Sequence, residues 1–285
     1  MSFLDRIHVF NHYDLTRFIP FVVGDERYGW VRPDFANELL RFPAVFQVSD
    51  TQVLLNPALD DYAQRTEAVA EVVQELAGQG CIRGWYDEAY PVTHDFHQAA
   101  EFEIDRAAAP YFGLRAFGVH VNGIVEKETG DHIWVGIRAR DKPHFPGQYD
   151  HIVAGGQPVG LSLIDNVVKE SAEEAGIPEV LARQAKPIGK ITYCIETACC
   201  LKPDTLFTFD LILPESFVPV ATDGEVDHFE LWPMKTLSEV VANTEKFKPN
   251  CNLVVIDLLI RRGVIHQQTL DYEKIRQGLS RPLPC

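Results

Sequence analysis

The stretch from Gly155 to Ile177, GGQPVGLSLIDNVVKESAEEAGI, contains the clearest structural signals in the chain. It begins with a glycine pair, and the residues that follow predict a helix. Ser162 is a favoured helix N-cap residue, and Asp165 three positions later gives a pattern like a capping box. Gly176 suits the left-handed position after a helix, and Pro178 prevents continuation. The helix is therefore expected to begin after Ser162 and to end before Gly176.

The predicted helix has two different faces. One face is apolar or small, with residues at helical spacing: Ile164, Val167, Val168, Ser171 and Ala175. The other face has Glu170, Glu173 and Glu174 at positions i, i+3 and i+4, so that their carboxylates cluster. Like charges at this spacing destabilise a helix by about 0.2–0.5 kcal/mol per pair. Either this face is simply solvated, or a divalent cation neutralises the carboxylates.

The glycine pair in front of the helix favours the cation. Gly155 and Gly156 allow the backbone to approach a ligand closely, and a helix N-terminus favours anions. Carboxylate oxygens with room for water and phosphate are suitable ligands for magnesium or manganese. The sequence therefore predicts a Mg²⁺ (or Mn²⁺) site on this helix.

The same stretch resembles the Nudix box, the signature of the Nudix hydrolases, G-x5-E-x7-R-E-U-x-E-E-x-G-U, where U is a bulky aliphatic residue. The matching positions are Gly155, Glu170, Glu173, Glu174, Gly176 and Ile177. Three positions depart: Leu161 replaces the first Glu, Lys169 replaces the Arg, and Ser171 replaces an aliphatic residue. Leu161 cannot bind a metal, and Lys169 keeps the charge but not the bidentate fork of Arg.

Much of the chain also resembles the thiamine-pyrophosphokinase-related branch of the Nudix hydrolases, in which an extra domain precedes the Nudix fold. The similar pieces occur here in the expected order: Trp85-Tyr86-Asp87-Glu88, Tyr90, Gly118 to Gly123, Trp134 with Arg138, Lys142, Asp150, Asp210-Leu211, Gly224-Glu225-Val226 and Phe247-Lys248-Pro249-Asn250. The resemblance implies hydrolysis of thiamine diphosphate and its oxo and oxy analogues to the monophosphate and phosphate.

A change of pattern near residue 115, together with the extra domain that the resemblance implies, predicts two domains. Residues 1–114 mix helices and short strands, which indicates a smaller α/β accessory domain, and residues 115–285 form the hydrolase domain. In the second domain, the order of strands and helices predicts a mixed sheet packed between helices, which is an α/β/α sandwich of the α+β class. A Nudix fold has this arrangement. The predicted strands are 45–48, 52–55, 117–125, 132–140, 188–196, 205–213 and 225–232, and the main predicted helices are 33–42, 60–77, 99–112, 235–243, 247–263 and 271–278. Residues 141–156 are expected to be mostly loop.

Cleavage of a diphosphate requires that its anionic oxygens be neutralised and that a water be positioned for attack. We predict Glu170 and Glu174 as the main metal ligands, and Glu173 as a further ligand or a holder of metal-bound water. The resemblance adds the carbonyl of Gly155 as an oxygen ligand. Glu225 is the predicted carboxylate from outside the helix, as a ligand or general base, with a solvated turn residue as the alternative.

Residues around the helix are candidates for substrate contacts. Arg138 and Lys142 precede the box and are predicted to bind the phosphates, with ordinary surface cations as the alternative. Gly156 is expected to lie against the ligand, and Trp134 is a candidate aromatic wall, although core packing is common for Trp. The N-terminal domain is expected to supply part of the wall, which places the pocket between the domains.

Composition restricts the class of protein. The formal net charge of −15 over 285 residues disfavours nucleic acid or an anionic membrane as a partner. The sequence has no 18-residue apolar run and no signal-peptide pattern, and its six cysteines have no disulfide-framework spacing. We therefore expect a cytoplasmic monomer or homodimer that binds a small diphosphate. A nucleoside diphosphate-X hydrolase (for example one acting on ADP-ribose) and a ligand-binding module without catalysis remain the alternatives.

Overall fold

The computed structural model describes residues 2–142, 144–222 and 224–284. The helices are α1 (Phe3–Val9), α2 (Pro33–Leu39), α3 (Tyr62–Gly78), α4 (Leu163–Ala175), α5 (Glu179–Ala182), α6 (Met234–Asn243), α7 (Cys251–Arg261) and α8 (Tyr272–Gly278). The strands are β1 (Ile19–Val23), β2 (Glu26–Val31), β3 (Phe46–Val48), β4 (Val53–Leu55), β5 (Ala89–Pro91), β6 (Glu103–Asp105), β7 (Ala116–Val125), β8 (His132–Arg138), β9 (Tyr149–His151), β10 (Val153–Gly156), β11 (Lys186–Glu196), β12 (Leu201–Ile212) and β13 (Val226–Pro233).

The N-terminal half consists of strands β1 to β6 with helices α2 and α3. Its main sheet has the order β2-β1-β4-β3, and β5 pairs with β6 in a separate two-stranded ribbon. The core of this half is aromatic: Phe21 contacts the ring of Phe112 at a centroid distance of 5.1 Å, and Phe46 lies 5.6 Å from Phe112. The half therefore has a hydrophobic core of its own.

The C-terminal half is built on a seven-stranded mixed sheet. Its order is β11-β12-β7-β8-β13, with β10 added beside β7 and β9 beside β8. Strand β7 is parallel to β12 and antiparallel to β8 and β10. Since strand residues alternate between the faces of a sheet, Val119 and Val121 pack with α4, whereas Ile124 packs with the cluster that contains α7. The predicted α/β/α sandwich is confirmed.

Each terminal segment packs on the half of the molecule that is distant from it in sequence. Helix α1 lies against the C-terminal half, where Ile7 is fully buried and Arg6 donates to the carbonyl of Val241 at 3.2 Å. The C-terminal tail reaches the N-terminal half, where Trp30 Nε1 donates to the carbonyl of Pro284 at 2.8 Å. Contacts of both terminal segments thus join the two halves, and the domain division at residue 114 stays a prediction.

One prediction about local structure is wrong, and a second is incomplete. The helix predicted for 99–112 is replaced by strand β6 and a short 3-10 turn, because Ile104 pairs with Tyr90 of β5 and is buried between two half-buried neighbours. The predicted loop 141–156 contains β9 and β10, which are stabilised by pairing with β8 and β7. Within the described residues, every helix is too short or too polar to cross a membrane.

Candidate active site

Helix α4 has the ends that its sequence predicts. The Ser162 hydroxyl accepts a hydrogen bond from the Asp165 N–H at 3.2 Å, and Gly176 has a left-handed φ of 61°. Val167, Ser171 and Ala175 are buried against the sheet, which confirms the inner face of the helix. The N-terminal cap and the terminal glycine fix the register in which the glutamates are presented.

A buried amide that was not predicted holds the loop before the helix. Asn166 Nδ2 donates to the carbonyl of Gly156 at 2.7 Å and to Gln157 Oε1 at 3.1 Å. Gln157 Nε2 donates in turn to the carbonyl of Leu161 at 2.8 Å. Leu161 occupies the position of the missing box carboxylate, and here its backbone helps to fix the loop.

Strand β10 and helix α4 bring two of the three glutamates together with Gly155. A Cβ atom placed on Gly155 would lie 2.6 Å from Glu170 Cγ and 2.8 Å from Glu170 Oε1, so only glycine leaves room for this carboxylate. On the neighbouring residue, the N–H of Ala154 donates to Glu174 Oε2 at 2.9 Å. Gly155, Glu170 and Glu174 are thus gathered at one place.

The electrostatics of these two carboxylates are unfavourable for their charged forms. Burial, together with the charges of Asp150 and Glu170, raises the pKa of Glu174 well above its usual range, although the N–H of Ala154 opposes the shift. Burial also raises the pKa of Glu170, and the charges of Glu173 and Glu88 add to this effect. A bound cation would relieve both the repulsion and the loss of solvation.

Glu173 has a different environment from the other two glutamates. Its side chain is 52% exposed, and it pairs with Lys169 across one helical turn at 3.1 Å. Lys169 also contacts Glu170 at 3.0 Å, so its ammonium group lies between two of the clustered carboxylates. Leu161, at the position of the first box Glu, offers Lys169 no carboxylate.

The site fits a hard divalent cation. Its donors are the carboxylate oxygens of Glu170 and Glu174, and such oxygen donors are those that Mg²⁺ and Mn²⁺ prefer. The side chain of Glu170 occupies the space that a Cβ atom on Gly155 would fill. The structure thus brings together three of the four predicted metal-binding residues, while Glu173 faces solvent.

Behind this site lies a buried ionic cluster around Asp150. Arg138 and Lys248 each contact Asp150 Oδ2 at 3.1 Å, and Cys251 Sγ donates to Asp150 Oδ1 at 2.8 Å. Burial opposes ionisation of Asp150, but Lys248 and the other donors hold the pKa of this carboxyl well below its usual range. The pairing of Lys248 with Asp150 was not predicted from its position in the sequence.

His120 and His151 adjoin the same cluster. Their Nδ1 atoms are 3.0 Å apart, and burial lowers the pKa of His151 to about 4. Ligand-type atoms of His120, Asp150, His151 and Cys251 all lie within 4.8 Å of one another. A metal ion there would meet the ammonium of Lys248 and the guanidinium of Arg138, so the arrangement is better described as a hydrogen-bonded ionic cluster.

The remaining predicted site residues are paired with other charged groups or packed in the core. Arg138 has a side chain that is only 14% exposed and is paired with Asp150, and Lys142 pairs with Glu225 at 2.9 Å. Trp134 is 8% exposed and packs in the core beneath α4, so little of its ring is available to a ligand. The roles of these residues in substrate binding stay predictions.

The N-terminal half also reaches the glycine pair. A Cβ atom on Gly156 would overlap the hydroxyl of Tyr90 and lie 3.3 Å from Arg106 Cζ. Tyr90 is among the residues of the family resemblance, whereas nothing in the local sequence pattern distinguishes Arg106. Only the tertiary packing of the two halves shows that Arg106 lies here.

Comparisons with known proteins agree with this geometry. A family model described as a domain of unknown function (DUF4743) matches residues 2–116. The chain is 44% identical over 270 residues to Nudix hydrolase 24, chloroplastic, of Arabidopsis thaliana, a match that covers 93% of this chain and 74% of that protein. It is 41% identical over 274 residues to Nudix hydrolase 20, chloroplastic, of the same plant, covering 93% and 73%.

A solved structure, DR0079 from Deinococcus radiodurans, is 16% identical and has a TM-score of 0.44, covering 59% of this chain and 97% of that one. The predicted cytoplasmic location is contradicted by the two plant relatives, since both are named as chloroplastic.

Proposed function

Because this chain belongs to the Nudix hydrolase family, we propose that it hydrolyses thiamine diphosphate and its oxo and oxy analogues to the monophosphate and inorganic phosphate. The observation that supports diphosphate hydrolysis is the placement of Glu170 and Glu174 beside Gly155. The sequence resemblance along both halves supports the thiamine-type substrate. An exposed tyrosine ring near Gly156, that of Tyr86, offers a surface for the rings of such a substrate.

In this proposal Glu170, Glu174 and the Gly155 carbonyl hold Mg²⁺ or Mn²⁺. When bound, the metal neutralises the diphosphate oxygens and makes a water more acidic. The N–H of Ala154 orients Glu174, because it donates to one of the two carboxylate oxygens. Glu225, which is paired with Lys142, is the proposed carboxylate from outside the helix, as a further ligand or as the base that accepts the proton of the attacking water.

A substrate panel tests this function. The purified full chain is incubated with Mg²⁺ and, in turn, thiamine diphosphate, its oxo and oxy analogues, ADP-ribose and nucleotides, and released phosphate or monophosphate is measured. We expect the highest kcat/KM with a thiamine-type compound. A preference for ADP-ribose would replace the thiamine assignment by a nucleoside diphosphate-X hydrolase. Tight binding of a compound with no turnover would instead identify a ligand-binding module.

The carboxylate assignment has its own variant. Glu174→Gln should lower kcat at least about 100-fold, the scale of losing one electrostatic or acid–base group. Glu239→Gln, an exposed helical glutamate of α6 that pairs with Lys235, is the control and should retain activity. A near-normal rate in Glu174→Gln would contradict the proposed metal site.

A further inference from the structure

A short ribbon of the N-terminal half is docked on the loop that precedes helix α4. The ribbon consists of β5 and β6, and Arg106 follows its second strand. The N–H of Arg106 donates to the carbonyl of Glu88 at 2.9 Å, which continues the pairing at that end of the ribbon. The N–H of Val159 donates to the carbonyl of Ala89 at 3.0 Å. The backbone of one half is thus hydrogen-bonded to the loop of the other.

The ribbon brings a cation to the second glycine of the pair. Consecutive residues of a strand face opposite sides, so Gly155 faces Glu170 while Gly156 faces Tyr90 and Arg106. One strand therefore separates the carboxylate from the guanidinium.

Arg106 is oriented and accessible. Its Nη1 contacts Glu88 at 2.8 Å, and its Cζ lies over the ring of Tyr86 at 4.8 Å from the centroid. The side chain is 41% exposed, and Tyr86 is 46% exposed. A guanidinium has five donors, and a single contact with Glu88 leaves others for an anion. Arg138, by contrast, is 14% exposed and is paired with a buried carboxylate.

We propose that Arg106 binds the diphosphate group of the substrate from the N-terminal half, so that the substrate passes over the end of β10 at Gly156 to reach the carboxylate pair. The inference rests on the proposed diphosphate hydrolysis, but not on the identity of the rest of the substrate. The planar fork of Arg matches two phosphate oxygens, and Glu88 and Tyr86 hold that fork in place. The accessory half therefore supplies a substrate-binding residue as well as a wall.

The test uses a probe that contains only the shared chemistry. Methylenediphosphonate, a diphosphate analogue that is not hydrolysed, is titrated into the full chain with Mg²⁺ in a calorimeter. We expect Arg106→Gln to bind it about 10- to 100-fold more weakly, the scale of a lost charge-assisted hydrogen bond. Arg106→Lys should fall between wild type and Arg106→Gln, because it keeps the charge and loses the fork. The affinity for Mg²⁺ alone should stay within about threefold of wild type.

Arg41→Gln is the matched control. Arg41 is also in the N-terminal half, is 43% exposed and is paired with glutamates, but it lies against α3. It should bind the probe as wild type does. Equal binding by wild type and Arg106→Gln would overturn the inference, as would a wild-type protein that does not bind the probe. Because the probe has no rings, a failure of the thiamine assignment in the substrate panel leaves this test unaffected.

Discussion

At the scale of single residues, Gly155 is required because Glu170 occupies the space of its missing side chain. Gly155→Ala would place a methyl group 2.6 Å from Glu170 Cγ, and the carboxylate would have to move. We expect Mg²⁺ affinity, measured by calorimetry, to fall about 10- to 100-fold, as when a group that orients a ligand is lost. Gly189→Ala is the control, since its added Cβ would meet no atom within 4 Å. Unchanged affinity in Gly155→Ala would show that Glu170 is not a ligand.

Glu174 should give the metal-free protein a recognisable pH dependence. Burial, with the charges of Asp150 and Glu170, raises its pKa well above the ordinary value of 4.5. The folded state thus holds this proton more tightly than the unfolded chain does, so stability falls as the pH rises above 4.5 and until it passes the folded-state pKa. Between about pH 5 and 8 in EDTA, the Tm of wild type should fall relative to that of Glu174→Gln.

The difference in Tm between wild type and Glu174→Gln isolates the titration of Glu174, because other groups titrate in both proteins. The pKa of Asp150 is shifted in the opposite direction, and this effect is present in both proteins. Added Mg²⁺ should abolish the relative loss in wild type, because a bound cation stabilises the charged carboxylate. Parallel Tm curves for the two proteins without metal would contradict the buried, destabilised carboxylate.

At the scale of the element, helix α4 carries a lysine that contacts two of the helix's own glutamates. Lys169 lies 3.0 Å from Glu170 and 3.1 Å from Glu173, so it offsets their repulsion when no metal is bound. Lys169→Gln should lower the Tm in EDTA, by the small free energy of exposed pairs, about 0.2–1 kcal/mol each. The same variant should bind Mg²⁺ up to about fivefold more tightly, because the ammonium group of Lys169 no longer competes with the cation for Glu170.

A control isolates the contact with Glu170 from the loss of charge on the protein. Lys235→Gln removes a lysine of α6 whose i,i+4 contact with Glu239 is 3.9 Å long. Its effect on Mg²⁺ affinity should be negligible. If Lys169→Gln weakened Mg²⁺ binding instead, Lys169 would have to help to shape the site rather than compete for it.

The elements that could be predicted from sequence are those with local causes. The ends of α4 follow from Ser162 and Gly176, and the carboxylate spacing follows from helical geometry, so most of the candidate metal site was predictable. Strand β6 was predicted as a helix because its pairing with β5 is a long-range contact. The contacts of Asn166 and Arg106 depend on tertiary packing, and no residue spacing in the sequence indicates them.

At the scale of the whole molecule, the two halves are joined by the terminal segments of the chain, each of which packs on the half that is distant from it in sequence. Helix α1 fills the core of the C-terminal half with Ile7, and a Cβ on Gly278 of α8 would overlap that side chain. The tail returns to the N-terminal half through Pro284. Segments from both ends of the chain thus join the two halves, and the ribbon that carries Arg106 is held against the loop that precedes α4.

This arrangement predicts where a core mutation in α1 will be felt. Ile7→Ala removes a fully buried side chain and should cost about 2–5 kcal/mol. We expect faster hydrogen exchange in α7 and α8, with β1 to β4 unchanged, because Ile7 belongs to the cluster of the C-terminal half. Leu76→Ala in α3 is the matched variant, and it should loosen β1 to β4 instead. Faster hydrogen exchange of β1 to β4 in Ile7→Ala would contradict this expectation. It would show that α1 is coupled to the N-terminal half, as a domain division at residue 114 implies.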